Sequence, residues 1–294
     1  MNIAMDIGNR NVCICYGKKG KLFFDSFQAR FSTEMQQDYS NAEVVEIDEV
    51  KYCIEQGIYD FEFNKGEKHC EPLILCGIAR TTTEKEVSLM IGCPAEHCLG
   101  LRQVLKDRLE GKTFNFKYNG EDRTVKIKRL GVIGEGLATY FAIDNTLKKS
   151  IKNLGILDIG GRTTNIISMI NGKQHVVCSV NKGILDVKNI MLKKMKQKGK
   201  DYDLITIENL IDNRRLKIDD ESKQWLINEI LNQMKIYKID VDLFDWFVTG
   251  GGSVDIGDEM LDKFFGDNCI IENPLYSNVN GYYNFMMAKW GNDE

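Results

Sequence analysis

Two short stretches of this chain, half its length apart, combine an acidic residue, a glycine turn and small polar residues. They read Asp6-Ile7-Gly8-Asn9-Arg10-Asn11 and Asp158-Ile159-Gly160-Gly161-Arg162-Thr163. A glycine turn between two strands exposes consecutive backbone N–H groups and lets a phosphate approach without a Cβ in the way. An aspartate before the turn suits Mg²⁺ held through water, because Mg²⁺ keeps several waters and takes few carboxylates. The repeat therefore predicts two phosphate-binding turns that hold one polyphosphate.

A third glycine cluster, Gly250-Gly251-Gly252-Ser253, follows the apolar run from Phe244 to Val248. Three glycines let the backbone lie flat against an adenine, a ribose or an α-phosphate, and the next helix can offer its N-terminus to phosphate. A glycine-rich loop without a ligand is the alternative. The chain has no G-x-x-x-x-G-K-[ST] motif and no G-x-G-x-x-G motif opening a helix after its first strand. Their absence argues against P-loop and dinucleotide-binding folds.

The elements around the two repeated turns are themselves repeated. Alternating β-prone residues predict strands at 2–7, 12–16 and 22–27, and again at 155–159, 165–170 and 175–180. Asn171-Gly172 between the last two is a strong hairpin signal. The duplicated meander predicts a pseudo-duplicated α/β protein, with chance similarity between two hairpins as the alternative.

The remaining segments predict the elements that follow each meander. Strands are predicted at Leu73 to Cys76, Glu86 to Gly92, Thr113 to Tyr118, Arg123 to Lys128 and Phe244 to Val248. Helices are predicted from Pro94 to Leu109, Glu135 to Leu147, about Met260 to Phe265 and after Gly281. Residues 186–240 are helix-rich, and their last helix carries an apolar stripe of Leu226, Ile230, Met234 and Tyr237.

Composition excludes several classes of protein. The 294 residues suffice for two cores, and a net charge of −4 gives no general reason to bind nucleic acid directly. No apolar run approaches the ~20 residues of a membrane span, and no signal peptide is visible. The nine cysteines are therefore interpreted as reduced thiols of a cytoplasmic protein. Metal binding by Cys93, His97 and Cys98 is disfavoured, because no paired C-x-x-C motif accompanies them.

Taken in order, these motifs resemble those of the actin/Hsp70/sugar-kinase ATPase superfamily. The two turns resemble its phosphate motifs, and residues 248–253 resemble its adenosine motif. Within the superfamily, the chain is most similar to the bacterial actin-like ParM/StbA proteins that segregate plasmids. Three stretches carry the narrower resemblance: Ile91-Gly92-Cys93-Pro94, Glu135-Gly136-Leu137-Ala138 and Asn278-Val279-Asn280-Gly281-Tyr282-Tyr283.

The resemblance implies an actin-like fold of two pseudo-duplicated RNase H-like domains with a nucleotide cleft between them. Domain I is expected at 1–150, with a small insertion subdomain at about 31–72, and a C-terminal helix at 279–294 returns to it. Domain II is expected at 151–278, with an insertion at about 186–240. The insertions are expected to form polymer contacts.

The resemblance also assigns roles to residues. Glu135 and Asp158 are expected to be catalytic, by positioning the water that attacks the γ-phosphate, while Asp6 and Asp158 hold Mg²⁺ through water. The nucleotide-binding set is Gly8, Asn9, Arg10, Asn11, Gly160, Gly161, Arg162, Thr163, Asn213, Arg214, Lys217, Gly250, Gly251, Gly252 and Ser253.

Three of these assignments have stated alternatives. Glu135 could instead complement a helix dipole at an N-terminus. Arg214 and Lys217 on a helix surface could face solvent. The lysine that many relatives carry after the first turn is absent, so Arg10 and Arg162 either supply its charge or point to solvent.

The implied function is a nucleotide-driven filament. Each subunit would bind ATP or GTP with Mg²⁺, stack head-to-tail on copies of itself and hydrolyse the nucleotide to destabilise the polymer. A ParR-like adaptor would connect the filament to centromere-like plasmid DNA. No membrane partner is expected. A sugar or metabolite kinase of the same superfamily is the alternative function.

Overall fold

The computed structural model describes residues 1–34, 42–59, 69–266 and 273–291. Cys269, parts of the predicted 31–72 insertion and the last three residues of the predicted 279–294 helix lie outside the described residues. The chain divides into two compact units. The first unit comprises Met1–Ile143 and Tyr276–Glu294, and the second comprises Asp144–Leu275.

The first unit is built on one sheet, which has nine strands within the described residues. The strands are β1 (Asn2–Ile7), β2 (Asn11–Lys18), β3 (Lys21–Gln28), β4 (Arg30–Ser32), β5 (Val44–Ile47), β6 (Val50–Tyr59), β7 (Glu86–Cys93), β8 (Thr113–Tyr118) and β9 (Glu121–Gly134). Their order in the sheet is β3-β2-β1-β7-β9-β8-β5-β6-β4. The first three strands form the predicted antiparallel meander, and β1, β7 and β9 run parallel to one another. Because parallel strands end at the same edge, Ile7, Cys93 and Gly134 share one edge of this sheet.

Helices cover the sheet of the first unit. They are α1 (Glu71–Thr81), α2 (Cys98–Leu109), α3 (Thr139–Ala142) and, from the C-terminal segment, α10 (Ser277–Trp290). A short 3₁₀ turn at Ala95–His97 leads into α2. The apolar residues of α1 and of the strands form one buried core. Helix α10 packs on β1, β7 and α3, so the C-terminal segment is an integral part of the first unit.

The second unit repeats the plan on a smaller sheet. Its strands are β10 (Asn153–Ile159), β11 (Thr164–Ile170), β12 (Lys173–Val180) and β13 (Asp245–Thr249), in the order β12-β11-β10-β13. Its helices are α4 (Asn145–Ser150), α5 (Ile184–Gln197), α6 (Leu204–Asp212), α7 (Asp220–Ile236), α8 (Gly251–Ile256) and α9 (Asp258–Phe265). The meander β10-β11-β12 is antiparallel, and β13 lies parallel to β10. The duplication predicted from the sequence is therefore confirmed in strand order and direction.

A buried ion-pair cluster joins three helices of the second unit. The ammonium of Lys188 on α5 has no exposed surface and lies 3.1 Å from Glu208 Oε1 on α6. The same ammonium lies 3.2 Å from Asp255 Oδ2 on α8, the helix that follows the glycine cluster. A buried charge needs such partners, so Lys188 fixes α8 against α5 and α6.

The predicted strand at Leu73 to Cys76 is wrong, because these residues lie inside helix α1. The helix is buried on all sides over Pro72–Ile78 and therefore reads as a continuous apolar run, which periodicity cannot distinguish from a buried strand. Pro72 in the first helical turn was the signal that favours a helix.

The single helix predicted from Glu135 to Leu147 is also wrong. Strand β9 continues to Gly134, and residues 135–138 form a turn in which Gly136 has a φ of +69°. Two short helices follow, and they are separated by the extended residues Ile143 and Asp144. In the apolar stripe of α7, Tyr237 lies just past the helix end and is partly exposed, whereas the other three residues are buried.

The other predicted strands and helices of these units are present; β9 extends six residues beyond the predicted Lys128, and α10 begins at Ser277 instead of after Gly281. Among the described residues, no helix is both long and apolar enough to cross a lipid bilayer.

Candidate functional site

The first glycine turn, residues 8–11, joins β1 to β2 in the first unit. The backbone N–H of Gly8 donates to Asn11 O at 3.0 Å, and a Cβ built on Gly8 would lie 2.8 Å from that oxygen. Arg10 O accepts from Ala29 N at 2.8 Å, which anchors the turn to the chain after β3. Only glycine fits the first position of this turn without a shift of backbone.

The second glycine turn, residues 160–163, joins β10 to β11 in the second unit and has the same geometry. Gly160 N–H donates to Thr163 O at 2.9 Å, and a Cβ on Gly160 would lie 2.8 Å from that oxygen. Asp158 pairs with Asn165 across the hairpin, as Asp6 pairs with Cys13 in the first unit. The two turns therefore share hydrogen bonding, strand register and steric constraint, which makes chance similarity untenable.

Helix α5 begins directly against the second turn. The N–H groups of Ile184 and Leu185 donate to the carbonyls of Gly160 and Gly161 at 3.0 and 2.9 Å. A Cβ on Gly183, the residue before the helix, would lie 2.6 Å from both carbonyl oxygens. The turn is thus held rigidly from one side by the helix, and glycine is required where the two meet.

Arg162 in the second turn forms an ion pair with Asp186 on α5. Its Nη1 lies 3.1 Å from Asp186 Oδ1, and the other oxygen of that carboxylate accepts from Gly183 N at 3.0 Å. The arginine side chain is about four-fifths buried, with 19% exposed. The alternative that Arg162 points to solvent is therefore wrong. Glycine followed three residues later by an acidic residue before an apolar run is a helix-start signal that could have identified Gly183 and Asp186.

Asp158 is a buried carboxylate at the end of β10. It is 4% exposed, and its Oδ2 accepts from Asn165 Nδ2 at 3.3 Å. Asn165 Oδ1 in turn accepts from the Ser179 hydroxyl at 2.8 Å. This chain of hydrogen bonds across the three strands of the meander fixes the orientation of the Asp158 side chain.

The third glycine cluster packs on the end of β10 in the second unit. Gly250 has a φ of +83°, and a Cβ there would lie 2.4 Å from Ile159 O and 2.5 Å from Asp158 Oδ1. Gly251 and Gly252 do not form a flat loop as predicted, because they are the first residues of α8. Ser253 is fully buried and its hydroxyl donates to Gly250 O at 2.7 Å, so it supports the turn.

Glu135 follows β9 at the edge where β1 and β7 also end. It is 8% exposed, and its N–H donates to Cys93 O, the last residue of β7, at 2.8 Å. Helix α3 begins only at Thr139 and has no acidic residue in its first turn. Glu135 therefore does not occupy a helix N-terminus, and the dipole alternative loses its basis.

Helix α10 holds the turn that carries Glu135. Asn278 Oδ1 accepts from Gly136 N at 2.9 Å and from the Thr139 hydroxyl at 3.0 Å. A Cβ on Gly281 would lie 1.9 Å from Ala138 O, so α10 approaches this turn as closely as glycine allows. The positioning role of Asn278 was not predicted, because no local sequence signal pairs it with residues 142 positions earlier.

Asp6 lies near the end of β1 and Arg10 in the first turn, and both residues are partly exposed. The other predicted nucleotide ligands, Asn213, Arg214 and Lys217, lie in the exposed loop between α6 and α7. Asn213 Nδ2 donates to Asn209 O at 2.7 Å, and Arg214 has a φ of +58°. Contact of this loop with adenosine stays a prediction.

Within the described ranges, no group of three or more Cys, His, Asp or Glu side chains is arranged to hold a metal ion. Mg²⁺ keeps most of its waters and typically binds one or two carboxylates plus phosphate oxygens. Binding of Mg²⁺ through water by Asp6 and by Asp158 stays a prediction.

Residues 4–137 match the family model described as Actin like proteins N terminal domain. No curated protein sequence matches the chain.

Solved structures match over nearly the whole chain. The archaeal actin homolog Ta0583 superposes with a TM-score of 0.81 at 18% identity, covering 98% of this chain and 99% of its own, and it has also been solved in complex with ADP. A 15-stranded ParM filament from Clostridium botulinum gives 0.74 at 17% identity, covering 97% and 98%. AlfA from B. subtilis plasmid pLS32, solved as a filament, gives 0.64 at 18% identity, covering 99% of both chains. The chain therefore has the actin-like fold.

Proposed function

Because this chain has the actin-like fold, we propose that it is a nucleotide-dependent, filament-forming ATPase. One observation carries the proposal. The first glycine of each turn, Gly8 in one unit and Gly160 in the other, donates to the carbonyl three residues ahead and leaves no room for a Cβ. A tight turn without a Cβ at its first residue leaves the backbone open to close approach of a phosphate, and the chain has this arrangement in both places.

In this proposal, backbone N–H groups of both turns contact the phosphates of ATP or GTP. The polar side chains of Asn9, Asn11 and Thr163 add donors, and Arg10 adds positive charge in place of the lysine found in many relatives. Arg162, which is paired with Asp186, would act on the phosphates mainly by fixing the second turn against α5. Asp6 and Asp158 hold Mg²⁺ through water, and the ion would neutralise phosphate charge. Gly250, Gly251 and Gly252 would contact the nucleoside, while the buried Ser253 would support their turn through its hydrogen bond to Gly250 O.

Hydrolysis is assigned to Glu135 and Asp158. Both residues are nearly buried. The hydrogen bond to Cys93 O holds the Glu135 backbone in place, and the hydrogen bond from Asn165 Nδ2 holds the Asp158 side chain. A fixed carboxylate can orient an attacking water, and phosphoryl transfer depends mainly on such positioning and on charge neutralisation.

Filament formation is supported by the solved structures with the same fold. The ParM and AlfA structures are filaments, and AlfA derives from a plasmid. We extend the proposal to head-to-tail self-assembly, to a cytoplasmic location and to a ParR-like adaptor that links the polymer to centromere-like plasmid DNA. An adaptor is favoured over direct contact with DNA, because the chain carries a net charge of −4.

Phosphate release and nucleotide binding test the enzymatic part separately. Glu135→Gln should lower the hydrolysis rate by about 10²-fold or more while nucleotide Kd changes little, because the change removes a water-positioning group and keeps its shape. Glu96→Gln, at an exposed position near the same sheet edge, is the matched control and should hydrolyse normally. Normal phosphate release by Glu135→Gln would remove this residue from the mechanism.

The phosphate turns are tested by alanine at their glycines. Gly160→Ala should raise the nucleotide Kd by about tenfold or more, because the added methyl displaces the turn backbone. Gly100→Ala is the control: its methyl lies in open space on α2, so this variant should bind nucleotide with the affinity of the unmodified protein. Equal affinity in both variants would argue against a phosphate at the second turn.

A further inference from the structure

Strand β3 lies at one edge of the nine-stranded sheet, and its first half carries an apolar run. Among the described strands, only β2 pairs with β3. The run is Leu22-Phe23-Phe24, and its residues are 43%, 41% and 41% exposed. Consecutive residues of a strand point to opposite faces, and a continuous apolar run is typical of a covered inner strand. Exposed edges are instead usually protected by charges, proline or short length. This edge therefore has the sequence of a strand that has a further neighbour.

The duplicated meander of the second unit shows that the fold does not require an apolar run here. The last hairpin of each meander turns through two residues of positive φ, Lys19-Gly20 in the first unit and Asn171-Gly172 in the second. Strand β12 is also an edge strand, and it begins with Lys173-Gln174-His175, which are all exposed. Two polar residues thus occupy the places of Leu22 and Phe23. The apolar edge is consequently a feature of β3 itself and not of the duplicated plan.

The apolar part of the edge directs its backbone groups away from β2. Farther along β3, Ser26 N donates to the neighbouring aspartate Oδ1 at 2.8 Å, and Gln28 N donates to Glu55 Oε1 of β6 at 2.8 Å. Backbone groups of alternate residues point to the same side of a strand in an antiparallel pair. Leu22 and Phe24 alternate with these residues, so their N–H and C=O groups also face outward, where no described strand pairs with them.

The charges that flank the apolar run complement those of a second copy of the same strand. Lys21 precedes the three apolar residues, and Asp25 follows them. In an antiparallel pair of β3 strands with Phe23 opposite Phe23, Lys21 of each copy faces Asp25 of the other, and Leu22 faces Phe24. Opposite charges directly across an antiparallel pair stabilise it. The same register places the outward-facing Leu22 and Phe24 in hydrogen-bonded pairs, so charge and backbone geometry favour one register.

We propose that β3 is a self-association site, at which two copies of this chain join their nine-stranded sheets by antiparallel pairing of residues 21–25. Asp25 remains accessible beside its ion pair with Arg80, because 44% of its side chain is exposed. The contact is isologous, since the same residues contribute from both copies. It covers the apolar run, pairs the outward backbone groups and places each charge opposite its counterpart.

The size of this contact determines how it acts. Five residues from each copy bury less than the about 1,200–2,000 Å² of a stable protein interface, so single subunits should dimerise weakly and reversibly. In a filament the same contact repeats at every subunit, and linked weak contacts add up to strong attachment. Pairing of β3 would therefore join neighbouring filaments side by side. That lateral role rests on the proposed filament function, whereas pairing between two subunits does not.

Cysteine crosslinking of the full-length, nucleotide-free protein tests the register. Facing Cα atoms of a non-hydrogen-bonded antiparallel pair lie about 4.5 Å apart, which a disulfide can span. Phe23→Cys should therefore form a covalent dimer on mild oxidation, and dithiothreitol should remove it. Phe24→Cys is the matched control, because its Cα would lie about 8 Å from its own counterpart, beyond the reach of a disulfide. The described native cysteines are buried, so the unmodified protein should not crosslink. Equal crosslinking of both variants, or none of Phe23→Cys, would overturn the register.

Charge reversal tests the same pairing by analytical ultracentrifugation. Lys21→Glu should raise the dimer Kd by about tenfold or more, because two attractive cross-strand pairs become repulsive. Lys19→Glu makes the same change of net charge in the adjoining turn and should dimerise normally. Asp25→Lys should dimerise weakly by itself, but an equimolar mixture of Lys21→Glu and Asp25→Lys should dimerise normally, because each charge in the mixed pair faces its opposite. Equal losses in Lys21→Glu and Lys19→Glu, or no recovery in the mixture, would overturn the charge pairing.

The lateral role is tested on filaments. Low-speed sedimentation should pellet bundles of the unmodified filaments, whereas Lys21→Glu filaments should pellet only at high speed and should hydrolyse nucleotide at the normal rate. If the protein forms no filaments, the proposed function fails, while crosslinking and ultracentrifugation of subunits still decide whether β3 pairs with β3. An unmodified protein that stays monomeric and binds phosphatidylglycerol vesicles instead would overturn self-association and assign this edge to a lipid surface.

Discussion

Gly250 and Gly257 give a matched pair of substitutions that isolates the packing of the third glycine cluster. Both residues precede a short helix of the second unit, and their backbones are almost identical, with φ and ψ of +83° and 153° at Gly250 and +87° and 153° at Gly257. This region is essentially restricted to glycine, so alanine costs about 1–3 kcal/mol at either position from backbone strain alone.

The two positions differ only in what an added methyl would meet. At Gly257 the nearest atom is the flexible Lys223 Nζ at 3.8 Å, which is ordinary contact. At Gly250 the methyl would lie 2.4 Å from Ile159 O, 2.5 Å from Asp158 Oδ1 and 2.8 Å from Ile159 C. Backbone at the end of β10 must therefore move, which adds about 1–3 kcal/mol of overpacking. The expected total loss is about 1–3 kcal/mol for Gly257→Ala and about 2–6 kcal/mol for Gly250→Ala.

Urea unfolding followed by circular dichroism gives the stability of each variant, and nucleotide titration gives the functional consequence. Gly250→Ala should unfold at lower urea than Gly257→Ala and should bind nucleotide more weakly, because the displaced backbone carries Asp158 and leads into the second glycine turn. Gly257→Ala should bind normally. Equal loss of stability in both variants, or normal binding by Gly250→Ala, would refute the reasoning that the third cluster packs on the phosphate turn.

Three further predictions address other parts of the fold. Lys188→Met should lower the free energy of unfolding by about 3–5 kcal/mol in urea titrations, because it strands two nearly buried carboxylates; a loss below 1 kcal/mol, roughly an ordinary surface change, would contradict the assigned role. Asn278→Ala removes the oxygen that accepts from the Gly136 N–H and the Thr139 hydroxyl, so it should lower kcat more than it lowers nucleotide affinity. The control Asn280→Ala should leave kcat unchanged, and an equal loss of kcat in the two variants would contradict the positioning role of Asn278. Arg10→Ala should raise the nucleotide Kd by about fivefold, as loss of a charged contact of about 1 kcal/mol requires, and a rise of less than about twofold would leave Arg10 without a phosphate role.

Local signals in the sequence predicted much of this fold. The turn residues Asn119-Gly120 and Asn171-Gly172 adopt positive φ and close their hairpins as predicted. The duplicated meander was predictable because the alternation of strands and the glycine turns are both local patterns. The turn glycines Gly8 and Gly160 were predictable for the same reason, since a glycine beside small polar residues between two strand patterns is a local turn signal.

The errors arose where tertiary packing determined the structure. Helix α1 reads as a strand because every side of it is covered, so it has no polar face to reveal its period. The turn at Glu135 was missed because the Gly136 N–H donates to Asn278 Oδ1, a contact between distant parts of the chain. The pairing of Arg162 with Asp186 likewise depends on where α5 begins, which the spacing of apolar residues alone does not fix.

Sedimentation with nucleotide tests the central proposal most directly. The full-length protein should form a pelletable polymer with ATP and Mg²⁺ and with the slowly hydrolysed analogue AMPPNP, and none without nucleotide or after chelation of Mg²⁺. The ATP polymer should disappear as ATP is consumed, whereas polymer of Glu135→Gln should persist. Absence of sedimentable polymer under every nucleotide condition, or ATP consumption only after a small acceptor molecule is added, would contradict a filament-forming ATPase, and the second result would indicate a kinase.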